Sequence, residues 1–402
     1  MTLRYTIGTM WISRWLRLRF GKTLRRTGRV FACLALLLWA PACARQDKVG
    51  REAIVVAVIA PFSGDFEPWG AAVRNGVILA ADGWNQQGGV LGRPVQVLLK
   101  DGRCDYNVAR QVTTEAIKEG AQFIIGEVCS VASEGVAQVT TDMKVLQIAP
   151  TSVDPETTLK NDGNVRPLVF RIPFLDVDQG IVAAHLALET LRADTAAILY
   201  AENSEYGLTL ADAFEKTFTD GDGEILVRKT YNQDAEEYFD VLSEVRDANP
   251  DILYLPGYFN VMNRLVAQAR RFGMFQTIIG SDGWDSPDLD FAVTDGSYFT
   301  THYFSGEPRP EVKAWTQLYT ARHQVEPDAV ATLSYDAVNI LFAAVTAAGT
   351  LEPFAVADVL ETATFEAVSG QLTFDKYHNP TKGVLVVRVF NGRVIYVDRL
   401  MP

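Results

Sequence analysis

The chain is poor in the residues that build metal and nucleophilic centres. Its four histidines, His185, His302, His323 and His378, are scattered and show no metal-ligand spacing. No serine stands in a Gly-x-Ser-x-Gly turn that would expose a nucleophile. Gly88–Gly92 ends a helix-like stretch instead of opening one, so it lacks the setting of a phosphate loop. Asp220–Glu224 is too short for a calcium loop and reads as a surface turn. These absences argue against an enzyme. No catalytic residue, metal or cofactor is expected. Low-complexity segments and short repeats are also missing.

Acidic residues are absent from the first 42 positions, which carry eight Lys/Arg. An apolar run follows within them, Val30–Ala40. It falls short of the about 20 residues needed to span a bilayer, and no later run reaches that length in this reading. A basic region, a short apolar core and small residues make a secretory leader over 1–43. Two processing routes fit Ala40-Pro-Ala-Cys-Ala44: Cys43 as the lipidated first residue of a lipoprotein, or cleavage after Ala42 or Ala44. The leader holds eight of the 37 basic residues, so the remainder carries 29 against 49 acidic ones, a net charge of −20. Such a chain disfavours nucleic acid and anionic surfaces. The expected compartment is the periplasm, with a lipid tether at Cys43 on the first route.

An oxidising compartment gives Cys104 and Cys129 a meaning. They follow adjacent strand-like stretches, and two thiols on neighbouring loops of an exported chain are expected to pair. The alternative is a pair of buried free thiols.

What remains, roughly 350 residues, suffices for two domains. The pattern is strand then helix, repeatedly. Ala53–Ala60, Val95–Leu99, Phe123–Gly126 and Val145–Ala149 alternate with helices over Trp69–Asn85, Asn107–Glu119 and Val131–Thr141. A second series begins with a helix over Gln179–Leu191 and places strands at Thr195–Tyr200, Ile225–Lys229, Ile252–Leu255 and Thr277–Ile279. The last third is mostly helical and closes with Gly370–Phe374, Val384–Phe390 and Arg393–Val397 as strands. The class is α/β, with two similar doubly wound parallel-sheet lobes. In open sheets of this kind ligands sit beyond the carboxyl ends of the strands.

Those strand ends carry a set of motifs. Ala60-Pro-Phe-Ser-Gly64 with Trp69-Gly70, Asn85–Gly92, and Cys104 with Ile125–Ser130 come first. Ala149-Pro-Thr-Ser152, Asp178-Gln-Gly180, Tyr206-Gly207, Gly257-Tyr258, Gly280-Ser-Asp-Gly283 and Gly370–Asp375 follow. In this order and spacing the chain from about Ile54 onward resembles the type I periplasmic binding proteins of the Leu/Ile/Val-binding family, the substrate-binding components of amino-acid ABC importers. The cysteine pair matches that family's disulfide. The resemblance implies two lobes joined by three crossovers near Leu175, Thr301 and Lys382. Lobe 1 then comprises 51–175 and 302–382, and lobe 2 comprises 176–301 and 383–402. It also implies a monomer that delivers a small amino acid, by default a branched-chain one, to a permease in the inner membrane.

An amino acid buried in a cleft needs each of its charges met. Ser130 offers a hydroxyl, and the helix behind it offers free N–H groups, to a carboxylate. The resemblance adds Thr151, Ser152 and Val153 to that side; Val153 stands where the family often has a hydroxyl. For the ammonium the resemblance points to Asp282, which is one carbon shorter than the Glu common there. Trp69, Tyr206 and Tyr258 are the aromatic candidates for enclosing the side chain. The same fold could instead sense a ligand, or take an amide, urea or an aromatic acid, for which Asp282 is not needed.

Overall fold

The computed structural model describes residues 52–402 and the two-residue strand Arg4–Tyr5. The leader and Cys43 otherwise lie outside the described residues.

Ile54–Ala60 forms the heart of the first sheet, and six of its seven residues are buried. Such an apolar run is stable only where helices cover both faces of a parallel sheet. The sheet order is Val95–Asp101, Ile54–Ala60, Phe123–Gly126, Leu146–Ala149 and Val169–Arg171, all parallel. Helices Glu67–Gln86, Ala329–Ala348 and Pro353–Thr362 pack on one face. Tyr106–Lys118 and Ser130–Met143 pack on the other.

The second sheet runs Arg393–Leu400, Val384–Phe390, Tyr298–Thr301, Thr277–Gly280, Ile252–Leu255, Thr195–Ala201 and Glu224–Tyr231. Val384–Phe390 is antiparallel to both its neighbours, and the five strands from Tyr298–Thr301 onward are parallel to one another. Phe239–Ala248 and Phe259–Arg271 cover one face, Asp176–His185 and Glu205–Asp220 the other. A third, small sheet of Thr364–Ala367, Gly370–Phe374 and Pro380–Lys382 packs Phe365, Leu372 and Phe374 into the first lobe's core, with Arg4–Tyr5 paired along its edge.

The chain passes between the lobes three times: between Arg171 and Asp176, after Thr301, and between Lys382 and Val384. Buried polar groups tie these passages together. Glu307 accepts from Arg399 at 2.8 Å and from Arg309 at 2.6 Å. Arg399 also donates to the carbonyls of Ser369 and Gly383, at 2.7 and 2.8 Å. Lys382, beside them, donates to Ser369 Oγ at 3.0 Å.

The sequence reading is corrected in four places. Val169–Arg171, Tyr298–Thr301, Thr364–Ala367 and Pro380–Lys382 are strands that it did not anticipate. The helix expected from Gln179 begins at Asp176, because Asp178 accepts from the Leu175 N–H at 2.9 Å and closes the first turn. Its continuation, Leu186–Thr190, is a π-helical turn. The helix Ala329–Ala348 is long and apolar enough to cross a membrane, contrary to expectation, but 72% of its apolar window is buried inside the protein. It is the core helix of the first lobe, and it carries the buried Asp336, which accepts from the N–H groups of Val368 and Ser369.

Candidate functional site

Each lobe carries candidate site residues just beyond the carboxyl ends of its parallel strands. On the first lobe the site is built around Glu127, which follows the strand Phe123–Gly126 and is fully buried. Its carboxylate accepts from the N–H groups of Cys104, Val128 and Cys129 at 3.1, 3.0 and 3.0 Å. Burial nevertheless pushes this carboxyl up to about 7. Cys104 and Cys129 are bridged, with a Cα–Cα distance of 5.3 Å. One acid and one disulfide therefore fix the loop that presents Ser130, the first residue of the helix Ser130–Met143.

Ser130 Oγ accepts from Ser152 Oγ at 3.2 Å, and Ser152 Oγ lies 2.6 Å from Thr157 Oγ1. Ser152 is wholly buried, so its hydroxyl orients Ser130. Thr151 donates to the Val128 carbonyl at 3.0 Å, which leaves that hydroxyl free only to accept. Ser130, Thr151 and Val153 stay partly exposed. Beneath this loop Arg171 donates to the Ser152 carbonyl at 3.4 Å and to Thr158 Oγ1 at 2.9 Å. Burial brings Arg171 down to about 10, so it remains a cation at neutral pH behind the Ser130–Ser152 pair. Trp69 stands at the rim, 47% exposed, with its ring 5.2 Å from that of Phe66.

On the second lobe the site follows the strand Thr277–Gly280. Tyr206 Oη donates to Asp282 Oδ1 at 2.5 Å, accepts from the Gly283 N–H at 3.1 Å, and lies 2.8 Å from Ser281 Oγ. His302 Nε2 lies 3.4 Å from Asp282 Oδ2. Burial opposes the charge on Asp282, but hydrogen bonds from His302, Tyr206 and Gln179 outweigh it and hold the carboxyl below its usual range. His302 itself is drawn down by burial, its ring stacked 3.8 Å from that of Phe174. Tyr258 stacks on Tyr206 at 5.1 Å and is 53% exposed, so one face of its ring is free to meet a ligand.

The structure brings Tyr206, Tyr258 and Asp282 into one cluster, and Ser130, Thr151 and Ser152 into another. Trp69 lies on the first lobe with the latter. Among the described residues, no hydrogen bond joins one cluster to the other, and the only grouping with metal-ligand proximity is the bridged Cys104–Cys129 pair with Glu127. Sequence reasoning missed Gln179, Ser281, His302 and Asp176. Gln179 is buried and accepts from the Asp282 N–H at 3.1 Å and from Thr300 Oγ1 at 2.6 Å. Its place in the Asp178-Gln-Gly180 motif was the one available signal. His302 follows a strand that had not been recognised.

Two lobes of this topology joined by three crossovers narrow the identity, and one comparison decides it. The model of the Periplasmic binding protein family matches residues 53–393. The chain belongs to that family. It is 28% identical over 358 residues to the leucine-, isoleucine-, valine-, threonine- and alanine-binding protein of Pseudomonas aeruginosa, covering 88% of this chain and 93% of the relative. Among solved structures, the leucine-binding protein LivK of Thermotoga maritima is 29% identical, with a TM-score of 0.70 and coverage of 87% of this chain and 99% of that one. The branched-chain amino acid transporter substrate-binding protein LivJ of Streptococcus pneumoniae, in complex with isoleucine, is 25% identical. Its TM-score is 0.72, with coverage of 87% of this chain and all of that one. This periplasmic binding protein thus shares its fold and most of its length with amino-acid binders.

Proposed function

We propose that this protein is an extracytoplasmic solute-binding protein that captures a small amino acid, of the branched-chain class, in the interlobe cleft. It delivers that ligand to an ABC permease in the inner membrane. The reading is supported by a partner for each of two opposite charges, one on each lobe. An ionised Asp282, held by Tyr206 and His302, sits on the second lobe. A hydroxyl at a helix N-terminus, backed by buried Arg171, sits on the first. An α-amino acid lying between them has its ammonium met by Asp282 and its carboxylate by Ser130 and the Thr151–Val153 backbone.

Trp69, Tyr206 and Tyr258 then enclose the side chain. Lobe 1 comprises 51–175 and 302–382, lobe 2 comprises 176–301 and 383–402, and the three crossovers form the hinge. A ligand touching both lobes shifts that hinge towards closure, and the closed form is what a permease reads. The leader directs export to the periplasm, Cys43 carries a lipid anchor, and the protein acts as a monomer. The binding specificities named for its relatives support the ligand class.

The test is a thermal-shift panel on the chain from Arg45, stripped of carried-over ligand, against amino acids, amides, urea and aromatic acids. A ligand at a hundred times its dissociation constant stabilises by about 2.7 kcal/mol. A shift with Leu, Ile or Val supports the proposal. A shift only with compounds lacking an ammonium overturns the role of Asp282 while keeping the family.

A further inference from the structure

We propose that Cys104, Cys129 and Glu127 form a latent site for one soft divalent cation such as Zn2+, closed by the disulfide and opened when that bridge is reduced. The site does not depend on the amino-acid reading above.

The three side chains converge as metal ligands must. One sulfur from each cysteine and a carboxylate oxygen of Glu127 lie within 4.8 Å of one another. The cysteine Cα atoms are 5.3 Å apart. Two thiolates on one zinc ion, each at about 2.3 Å, stand roughly 3.8 Å apart in a tetrahedron. Rotation of the two side chains about their Cα–Cβ bonds reaches that spacing from backbones so placed.

The backbone around both cysteines has supports besides the bridge. Glu127 Oε1 accepts from the Cys104 N–H at 3.1 Å, and Oε2 accepts from the N–H groups of Val128 and Cys129 at 3.0 Å each. Glu127 is held in turn by Ser133, whose hydroxyl accepts from its N–H at 3.1 Å and donates to its carbonyl at 2.9 Å. Gly102 leaves the space that the carboxylate fills, since a Cβ there would lie 2.6 Å from Oε1. Two donors occupy both lone pairs of Oε2, whereas Oε1, with one donor, keeps a lone pair for a metal.

Both sulfurs also stand where a thiolate is favoured. Cys129 is the N-cap of the helix Ser130–Met143. Cys104 directly precedes Asp105, the N-cap of the helix Tyr106–Lys118. The partial positive charge at a helix N-terminus favours the ionised thiol. Both cysteines are partly exposed, which gives an ion its entry, and Glu127 is wholly buried behind them. Thiolate ligands select zinc and other soft ions over calcium or magnesium. Two thiolates and one carboxylate leave the fourth tetrahedral position to solvent.

Opening the site needs a dithiol reductant. It supplies two electrons and two protons: the Sγ–Sγ bond breaks, each sulfur becomes a thiol, and the reductant closes to its own disulfide. Zn2+ then forms a bond to each sulfur and to Oε1, and the two thiol protons pass to solvent. Metal and bridge compete for the same sulfur electron pairs, so a bound ion protects the thiols from oxidation.

The test uses the chain from Arg45, reduced with dithiothreitol, freed of it by gel filtration without oxygen, and titrated with Co2+ and then Zn2+. The expected result is one Co2+ per reduced chain, with thiolate-to-cobalt charge-transfer absorption and the intense visible bands of a four-coordinate ion. Zn2+ should displace it and slow re-formation of the bridge, and the bridged protein should bind neither. Glu127→Gln is expected to keep the thiolate absorption but weaken Zn2+ binding at least the roughly tenfold that loss of a mere outer partner costs. A pale six-coordinate cobalt spectrum, or no saturable binding to the reduced chain, overturns the proposal. Equal affinity in the reduced chain unfolded in urea shows two free thiols and no built site, and overturns it as well.

Discussion

Tyr206 and Asp282, 76 residues apart, share a 2.5 Å hydrogen bond that fixes the carboxylate beside the strand Thr277–Gly280. The tyrosine spends its proton on the acid while its ring supports Tyr258. Under the proposed function, ligand charge and ligand side chain are thereby served by one residue. Asp282→Ala is expected to weaken leucine binding by about 2–5 kcal/mol, the range for removing one partner of a buried charge pair. Tyr206→Phe is expected to cost about 1.5–3 kcal/mol, the range for a hydrogen bond to a charged group. Titration calorimetry on both variants checks this, and an unchanged affinity in Asp282→Ala removes the acid from the site.

Ser130 is the residue proposed to meet the ligand's carboxylate. Its replacement by Ala is expected to reduce leucine affinity roughly ten- to hundredfold, the loss of one charge-assisted hydrogen bond. Wholly buried Ser152 acts by orienting it, so Ser152→Ala should reduce affinity less and lower the melting temperature more. The reverse order of the two effects would contradict the assigned roles.

The disulfide offers a stability test. Reduction of the Cys104–Cys129 bridge, which closes 25 residues of chain, is expected to cost about 3 kcal/mol. Denaturant unfolding with and without reductant measures it. Alkylation of both thiols in denatured, unreduced protein would show that the bridge does not form.

Glu127 gives a pH signature. Its carboxyl is pushed up to about 7 in the folded state, from an ordinary value of 4.5. The folded protein then holds a proton that the unfolded chain has lost, so stability falls as pH rises through that window. Glu127→Gln is expected to flatten this part of the slope in melting temperature between pH 4.5 and 7. An identical slope in both proteins would rule it out as the source.

Gly283 is boxed in by the second-lobe site. A Cβ there would lie 2.5 Å from the Gly257 carbonyl oxygen and 3.1 Å from the Tyr258 ring. Gly283→Ala should therefore displace the loop of Asp282 and weaken binding with an intact fold. Circular dichroism together with calorimetry separates that outcome from simple unfolding.

Some of this molecule is plain in its sequence. Phe123–Gly126, Ile252–Leu255 and Val384–Phe390 are apolar runs stopped by turn residues, and they form strands at the bounds expected of them. Val169–Arg171 and Tyr298–Thr301 escape because they are short and mix apolar with polar residues; only pairing with a neighbour makes them strands. The site divides in the same way. Asp282 and Ser130 sit at strand ends, where local pattern points. Gln179 owes its role to Asp282 and Thr300, 103 and 121 residues away, and no local pattern carries that information.

The placement of the last hundred residues has a further consequence, for the order of events during synthesis. Ala329–Ala348 completes the core of the first lobe, and Val384–Phe390 with Arg393–Leu400 completes the sheet of the second. Neither lobe can therefore bury its apolar surface while the ribosome is still making the chain. A nascent protein so constructed stays loose until its end is released, and a loose chain is the one that an export channel can thread.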